Sequence, residues 1–133
     1  MRYRFQPLPN DRRPYPVIPF SFERLPRIRL FGLVDSGART TRIDGEWADE
    51  LGIDLSDVEA TPFSVAGDNL FARKAAVTLM LDRYRLETEV TFVDGWRHSH
   101  QLLGLDGFFD RFIVRIDAAD GELKLSPRPR RTS

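Results

Sequence analysis

Apolar residues in this chain alternate with polar ones more often than they recur at helical spacing, which predicts a protein built mostly of strands. Val17 to Glu23 and Arg27 to Val34 are predicted strands joined at Leu25-Pro26. The second becomes continuously apolar over Leu30-Phe31-Gly32-Leu33-Val34, as a fully buried strand does. Thr61 to Ala66 and Leu70 to Leu81 predict a long hairpin turning at Gly67-Asp68-Asn69, with Val77, Leu79 and Leu81 on one face. Tyr84, Leu86, Thr88, Val90 and Phe92 alternate through the next strand, which stops at Asp94-Gly95. Gln101 to Leu103 is a short strand running into Gly104, and Phe112 to Asp117 forms a hairpin with Glu122 to Leu125 around Asp120-Gly121. Two short helical segments interrupt the strands. One covers Ile43 to Gly52, with Asp44 as N-cap, Trp47 and Leu51 on one face and Gly52 just past its end. The other is a single turn over Gly107 to Arg111 capped by Asp106.

Proline bounds the folded unit. Five of the nine prolines fall in the first 19 residues, so residues 1–16 are expected to be an extended, loosely packed arm. Residues 127–133, Pro-Arg-Pro-Arg-Arg-Thr-Ser, are expected to be a basic flexible tail, leaving one domain over residues 17–126. The chain's 133 residues, 41% of them hydrophobic, suffice for a single core.

Charge and composition exclude several chemistries. Lys plus Arg and Asp plus Glu are twenty each, so net charge favours no polyanionic partner, and no nucleic acid is expected. The absence of cysteine removes disulfides, thiolate metal sites and thiol nucleophiles together. No apolar run approaches the roughly 18 residues of a membrane span and no signal-like segment opens the chain, so a cytoplasmic location is expected. Gly-x-Ser-x-Gly, Gly-x-Gly-x-x-Gly and Gly-x-x-x-x-Gly-Lys are all absent. His98 and His100 could hold zinc with Asp94 as third ligand, but the chain has no other histidine, and a solvated loop is the simpler reading.

Asp35-Ser36-Gly37-Ala38 is different, because it places a carboxylate at the tip of the most apolar strand, where it is costly unless used or well paired. By itself it could be an ordinary turn. With Phe31-Gly32-Leu33-Val34 before it, a glycine-tipped hairpin about thirty residues on, and Leu102-Leu103-Gly104-Leu105-Asp106-Gly107-Phe108-Phe109 downstream, the chain resembles the retropepsin-like aspartic proteases over residues 17–126. The resemblance implies a mostly β, closed, barrel-like acid-protease domain with a flap hairpin and two short helices. It implies Asp35 as the catalytic aspartate, with Ser36, Gly37 and Ala38 shaping the loop and its dimer contacts. Ala66, Gly67, Asp68 and Asn69 would be the flap tip over substrate, and Leu102, Leu103 and Gly104 would support the catalytic loop from beneath.

Peptide hydrolysis without metal, thiol or a serine-histidine pair needs one group to activate water and another to protonate the leaving amine. Two carboxyls about 3 Å apart cannot both ionise, so the pair serves as base and acid together. One chain supplies one such aspartate. The partners expected are therefore a second copy of the chain and a polypeptide substrate, with no cofactor and no metal. Two readings of other classes remain open at this point: a catalytically silent dimeric interaction module on the same fold, and a small β-barrel binding nucleic acid through its arginine-rich ends.

Overall fold

The computed structural model describes residues 1–65 and 67–129. In chain order its strands are β1 (Arg2–Arg4), β2 (Gln6–Leu8), β3 (Asp11–Tyr15), β4 (Val17–Phe22), β5 (Leu25–Val34) and β6 (Arg42–Asp44). Helix α1 (Glu46–Glu50) follows, then β7 (Thr61–Val65), β8 (Asp68–Leu81), β9 (Tyr84–Asp94), β10 (Gln101–Leu103), β11 (Phe112–Asp117) and β12 (Glu122–Pro127). A seven-stranded sheet runs β4-β5-β10-β6-β9-β8-β7. Because β4 also pairs with β8, through Ser21↔Met80 and Phe22↔Leu79, six of these strands close on themselves and β7 is left as an edge. β5 with β10 and β6 with β9 are parallel pairs, and the other neighbours are antiparallel.

The ring closes around side chains that alternate inward: Ile18, Phe20 and Phe22 from β4, Leu79 and Leu81 from β8, Leu86, Val90 and Phe92 from β9, all 3% exposed or less. Phe108, Phe112, Leu123 and Leu125 close one end of this core from the second half of the chain. The mostly β architecture expected from the sequence is thus the observed one. Among the described residues, no helix is long and apolar enough to cross a membrane.

Residues 1–16 differ from the loosely packed arm expected of their proline content. β1 pairs with β12, through Arg2↔Lys124, Tyr3↔Leu123 and Arg4↔Glu122. The Met1 amine donates to Leu125 O at 2.9 Å, and Tyr3 Oη donates to Asp82 at 3.1 Å. The physical reason is the alternation Met1, Tyr3, Phe5 against Arg2, Arg4, which sets three apolar side chains against the core. Pro7, Pro9 and Pro14 fall in a separate β2–β3 ribbon, where Pro7 faces Pro14 and a missing N–H breaks no central ladder. Deleting residues 1–4 is therefore expected to lower stability by about 2 kcal/mol, from the lost burial of Met1 and Tyr3. Urea unfolding with an unchanged midpoint would show that β1 is not part of the folded unit.

Both helical expectations need adjustment. Ile43 and Asp44 belong to β6, because Ile43 is in register with Phe92 of β9, so α1 begins only at Glu46 with Gly45 as N-cap. Asp44 still accepts from Glu46 N–H at 3.1 Å, and Gly52 takes the left-handed conformation (φ 69°) past the helix end as expected. Residues 107–111 make one turn, with Arg111 and Phe112 N–H both reaching Phe108 O. Asp106 does not cap it; Asp110 Oδ1 accepts from Gly107 N–H at 3.0 Å, and Asp106 pairs instead with Arg39. The predicted hairpin is present as β7 and β8, but Val65 pairs with Asp68, so Asp68 and Asn69 lie in the strand. Gly67 sits at the tip with φ 84°, and Ala66 lies outside the described residues. The chain remains tied down past Pro127, where Arg128 N–H donates to Arg111 O at 2.9 Å.

Candidate active site

Alternation along β5 sorts its residues onto two faces. Leu30 and Val34 enter the core, whereas Phe31, Leu33 and Asp35 share the opposite face and are only partly covered. β10 lies parallel to β5, with Leu102↔Leu33 and Leu103↔Val34 in register. Asp35 thus stands at the end of an accessible apolar strip made by Leu33 and Leu102, with Phe31 (38% exposed) at the far end. The strip was hidden in the sequence, where Leu30 to Val34 read as buried on both faces. The half-buried state of Leu33 depends on what covers the sheet, and no local pattern reports that.

The Asp35 loop is pinned from β10. Asp35 N–H donates to Leu103 O at 3.0 Å, and Leu105 N–H donates to Ala38 O at 2.9 Å. Ala38 N–H turns back to Asp35 O at 3.2 Å, closing a tight turn. Gly37 N–H donates to Asp35 Oδ1 at 2.8 Å, which fixes the carboxylate plane while Oδ2 has no partner among the described residues. Ser36 and Gly37 are exposed and Ala38 is buried, so the loop presents its first three residues outward and is anchored by the fourth. The structure therefore brings Asp35 to Ala38 and Leu102 to Gly104 together. Gly67 to Asn69 belong to the separate β7–β8 hairpin.

Gly104 explains the closeness. A Cβ there would lie 2.3 Å from Thr40 O and 2.7 Å from Ala38 O, so only glycine lets the chain pass under the loop. Thr41, which the sequence reading missed, locks this crossing: its buried Oγ1 accepts from Gly104 N–H at 3.2 Å and donates to Asp106 O at 3.0 Å. A threonine two residues past an exposed arginine carries no local mark of that role. Thr41→Val keeps the shape and strands the buried Gly104 N–H, while Asp106 O keeps its bond from Thr41 N–H at 3.0 Å, so a loss of about 1–3 kcal/mol is expected by urea unfolding. An unchanged midpoint would remove the lock.

His98 and His100 do not gather a metal set. The His98 ring meets Trp96 edge-on at a centroid separation of 5.2 Å and lies against His100 at 5.3 Å, and Asp94 is engaged by Arg73 at 2.7 Å. Burial, and then the neighbouring His98, push His100 below its ordinary pKa. Among the described residues no three metal-binding side chains converge.

A closed ring of strands, a carboxylate loop at the end of a buried strand and a parallel strand crossing beneath it define the retropepsin-like acid-protease fold, and this chain has that fold. It is similar to the crystal structure of a retropepsin-like aspartic protease from Rickettsia conorii (TM-score 0.60, 19% identity, covering 92% of this chain and 88% of that one). It is also similar to the retroviral protease-like domain of Ddi1 from Leishmania major (TM-score 0.62, 15% identity, covering 84% and 87%). The sequence matches no family model and no curated protein.

Proposed function

We propose that the protein is a homodimeric aspartic endopeptidase whose dyad is Asp35 with the Asp35 of a second copy. The observation that carries this reading is the carboxylate itself: oriented by Gly37, partly exposed, with one oxygen unpartnered among the described residues, at the end of an accessible strip. An isolated carboxylate cannot act as base and acid at once, and two-fold symmetry is the simplest way to supply the other. In the dyad the ionised carboxyl takes a proton from a bound water as its oxygen adds to the scissile carbonyl carbon. The protonated carboxyl donates to the carbonyl oxygen. Collapse of the tetrahedral species breaks the C–N bond as the amine nitrogen takes a proton from the dyad.

Ser36 and Gly37, exposed beside Asp35, would form the close contact between copies, with Ala38 anchoring the loop. The Leu33–Leu102 strip would receive an apolar side chain next to the cleaved bond, and the hairpin tip at Ala66, Gly67, Asp68 and Asn69 would close over an extended peptide held by main-chain hydrogen bonds. Leu103 and Gly104 support the loop from below. The test is concentration dependence: cleavage of unstructured peptides per chain should rise with protein concentration and level off as the sedimenting species becomes dimeric. Cleavage by a strict monomer would overturn the shared dyad.

A further inference from the structure

A cavity of about 510 Å³ lies between the β4–β5 turn, the segment that follows α1 and the rungs of the β8–β9 hairpin around Val77. It has the size of a pocket for a small ligand. None of the residues that line it belongs to the Asp35 site. Its wall is core surface: Phe22, Leu51 and Thr88 are buried, whereas Ile53 and Val77 pack on the core and are only partly covered. Thr88 adds a methyl to this wall and no free donor, since its hydroxyl is spent on Gly107 O at 2.9 Å.

Three charged side chains stand at the mouth, Glu23, Arg24 and Glu87. Both acids are committed. Arg85 donates from Nη1 to Glu87, and from Nε and Nη2 to Glu23, the last at 3.3 Å. Arg24 is different, because its exposed guanidinium has no hydrogen-bond or ion-pair partner among the described residues. Its Nη2 lies 3.9 Å from where a Cβ would stand on Gly52, the residue between the wall residues Leu51 and Ile53. The charge is thus set beside the apolar wall.

An uncommitted guanidinium above an apolar cavity selects one kind of ligand. Burial alone favours entry of an apolar chain, and a carboxylate at its end can take two parallel N–H bonds from an arginine. A cationic head would be repelled, and a neutral one would leave the charge unanswered.

We propose that this cavity is a second ligand site, apart from the Asp35 cleft, for a carboxylate that ends an apolar chain. Arg24 receives the carboxylate, and Phe22, Leu51, Ile53 and Val77 receive the chain. That chemistry has two sources, a free aliphatic acid and the C-terminus of a polypeptide ending in an apolar residue.

The experiment is calorimetric titration of the full chain with octanoate and with octanamide, repeated on Arg24→Ala and Val77→Phe. A parallel arm titrates the Asp35→Asn chain, which leaves the peptide uncut, with a peptide ending in a free leucine carboxylate and with its C-terminal amide. Octanoate, the free-carboxylate peptide or both should bind at one site per chain, each about tenfold tighter than its amide, as one charged hydrogen-bonded contact implies. Arg24→Ala should erase that difference, and Val77→Phe should block binding by filling the cavity. Arg24 is exposed, so its variant keeps the test readable should Val77→Phe fail to fold. Octanoate alone binding identifies the free acid as the source, and the free-carboxylate peptide alone identifies the chain terminus. Acid and amide binding alike, or a difference untouched by Arg24→Ala, would overturn the proposal. So would the absence of binding in both arms.

Discussion

Asp35→Asn is expected to reduce peptide hydrolysis by about 10⁴-fold or more, since it removes a group asked to act as general acid and general base in turn. The fold should barely notice. An asparagine Oδ1 can accept the same hydrogen bond from Gly37 N–H, and the side chain lies on an open face, so the change in stability should stay within about 0.5 kcal/mol. Mixing sharpens the test. If every site needs an aspartate from each copy, an equal mixture of exchanging wild-type and variant chains should keep about a quarter of the wild-type activity, because only homodimers of the wild type are competent. Chains acting singly would keep about half. Undiminished hydrolysis by the Asn variant would dismiss Asp35 as the acid-base group.

Gly104→Ala is expected to cost about 3 kcal/mol, at the upper end for overpacking. The added methyl would meet backbone oxygens of Thr40 and Ala38, not the yielding end of a side chain. Retreat is blocked on both sides, since Gly104 N–H is held by Thr41 Oγ1 and the next residue by Ala38 O. Relief therefore has to come from shifting the Asp35 loop itself. With total stability of about 5–15 kcal/mol for a domain of this size, the variant should unfold at clearly lower urea and lose activity beyond the fraction unfolded. A midpoint within error of wild type would mean that the crossing is looser than these contacts imply.

Strands from Val17 to Leu125 were legible because alternation is a local signal, written into each segment without reference to its neighbours. Gly104 was legible for another reason: its residue type is dictated by close backbone approach, which few sequences permit, whereas Asp35 to Ala38 stood out as a carboxylate and turn formers ending an apolar strand. Pairing was not legible. Nothing in Ser21 or Phe22 announces Met80 and Leu79 as partners, yet that pairing closes the ring. Residues 1–16 misled because proline dominates local propensity, while Met1, Tyr3 and Phe5 find their apolar surface only once β12 is in place. Asp106 misled likewise: an aspartate before a turn is a good cap, but here Asp110, Gly104 O and Leu105 O already take the N–H groups of Gly107, Phe109 and Asp110, and Asp106 turns outward to Arg39.

The parallel pairing of β5 with β10 carries a consequence for how the chain comes into being. Parallel strands cannot meet through a tight turn, and here the partner that fixes Asp35 is delivered only after β6 to β9 have been laid down. Contacts so distant in sequence form late, since the loop between them must first be closed. A chain emerging from the ribosome exposes Asp35 long before Leu103 exists to hold it. The order of synthesis itself thus keeps the carboxylate unassembled until nearly the whole domain has been made, and the slow step of folding and the maturation of the site become one event.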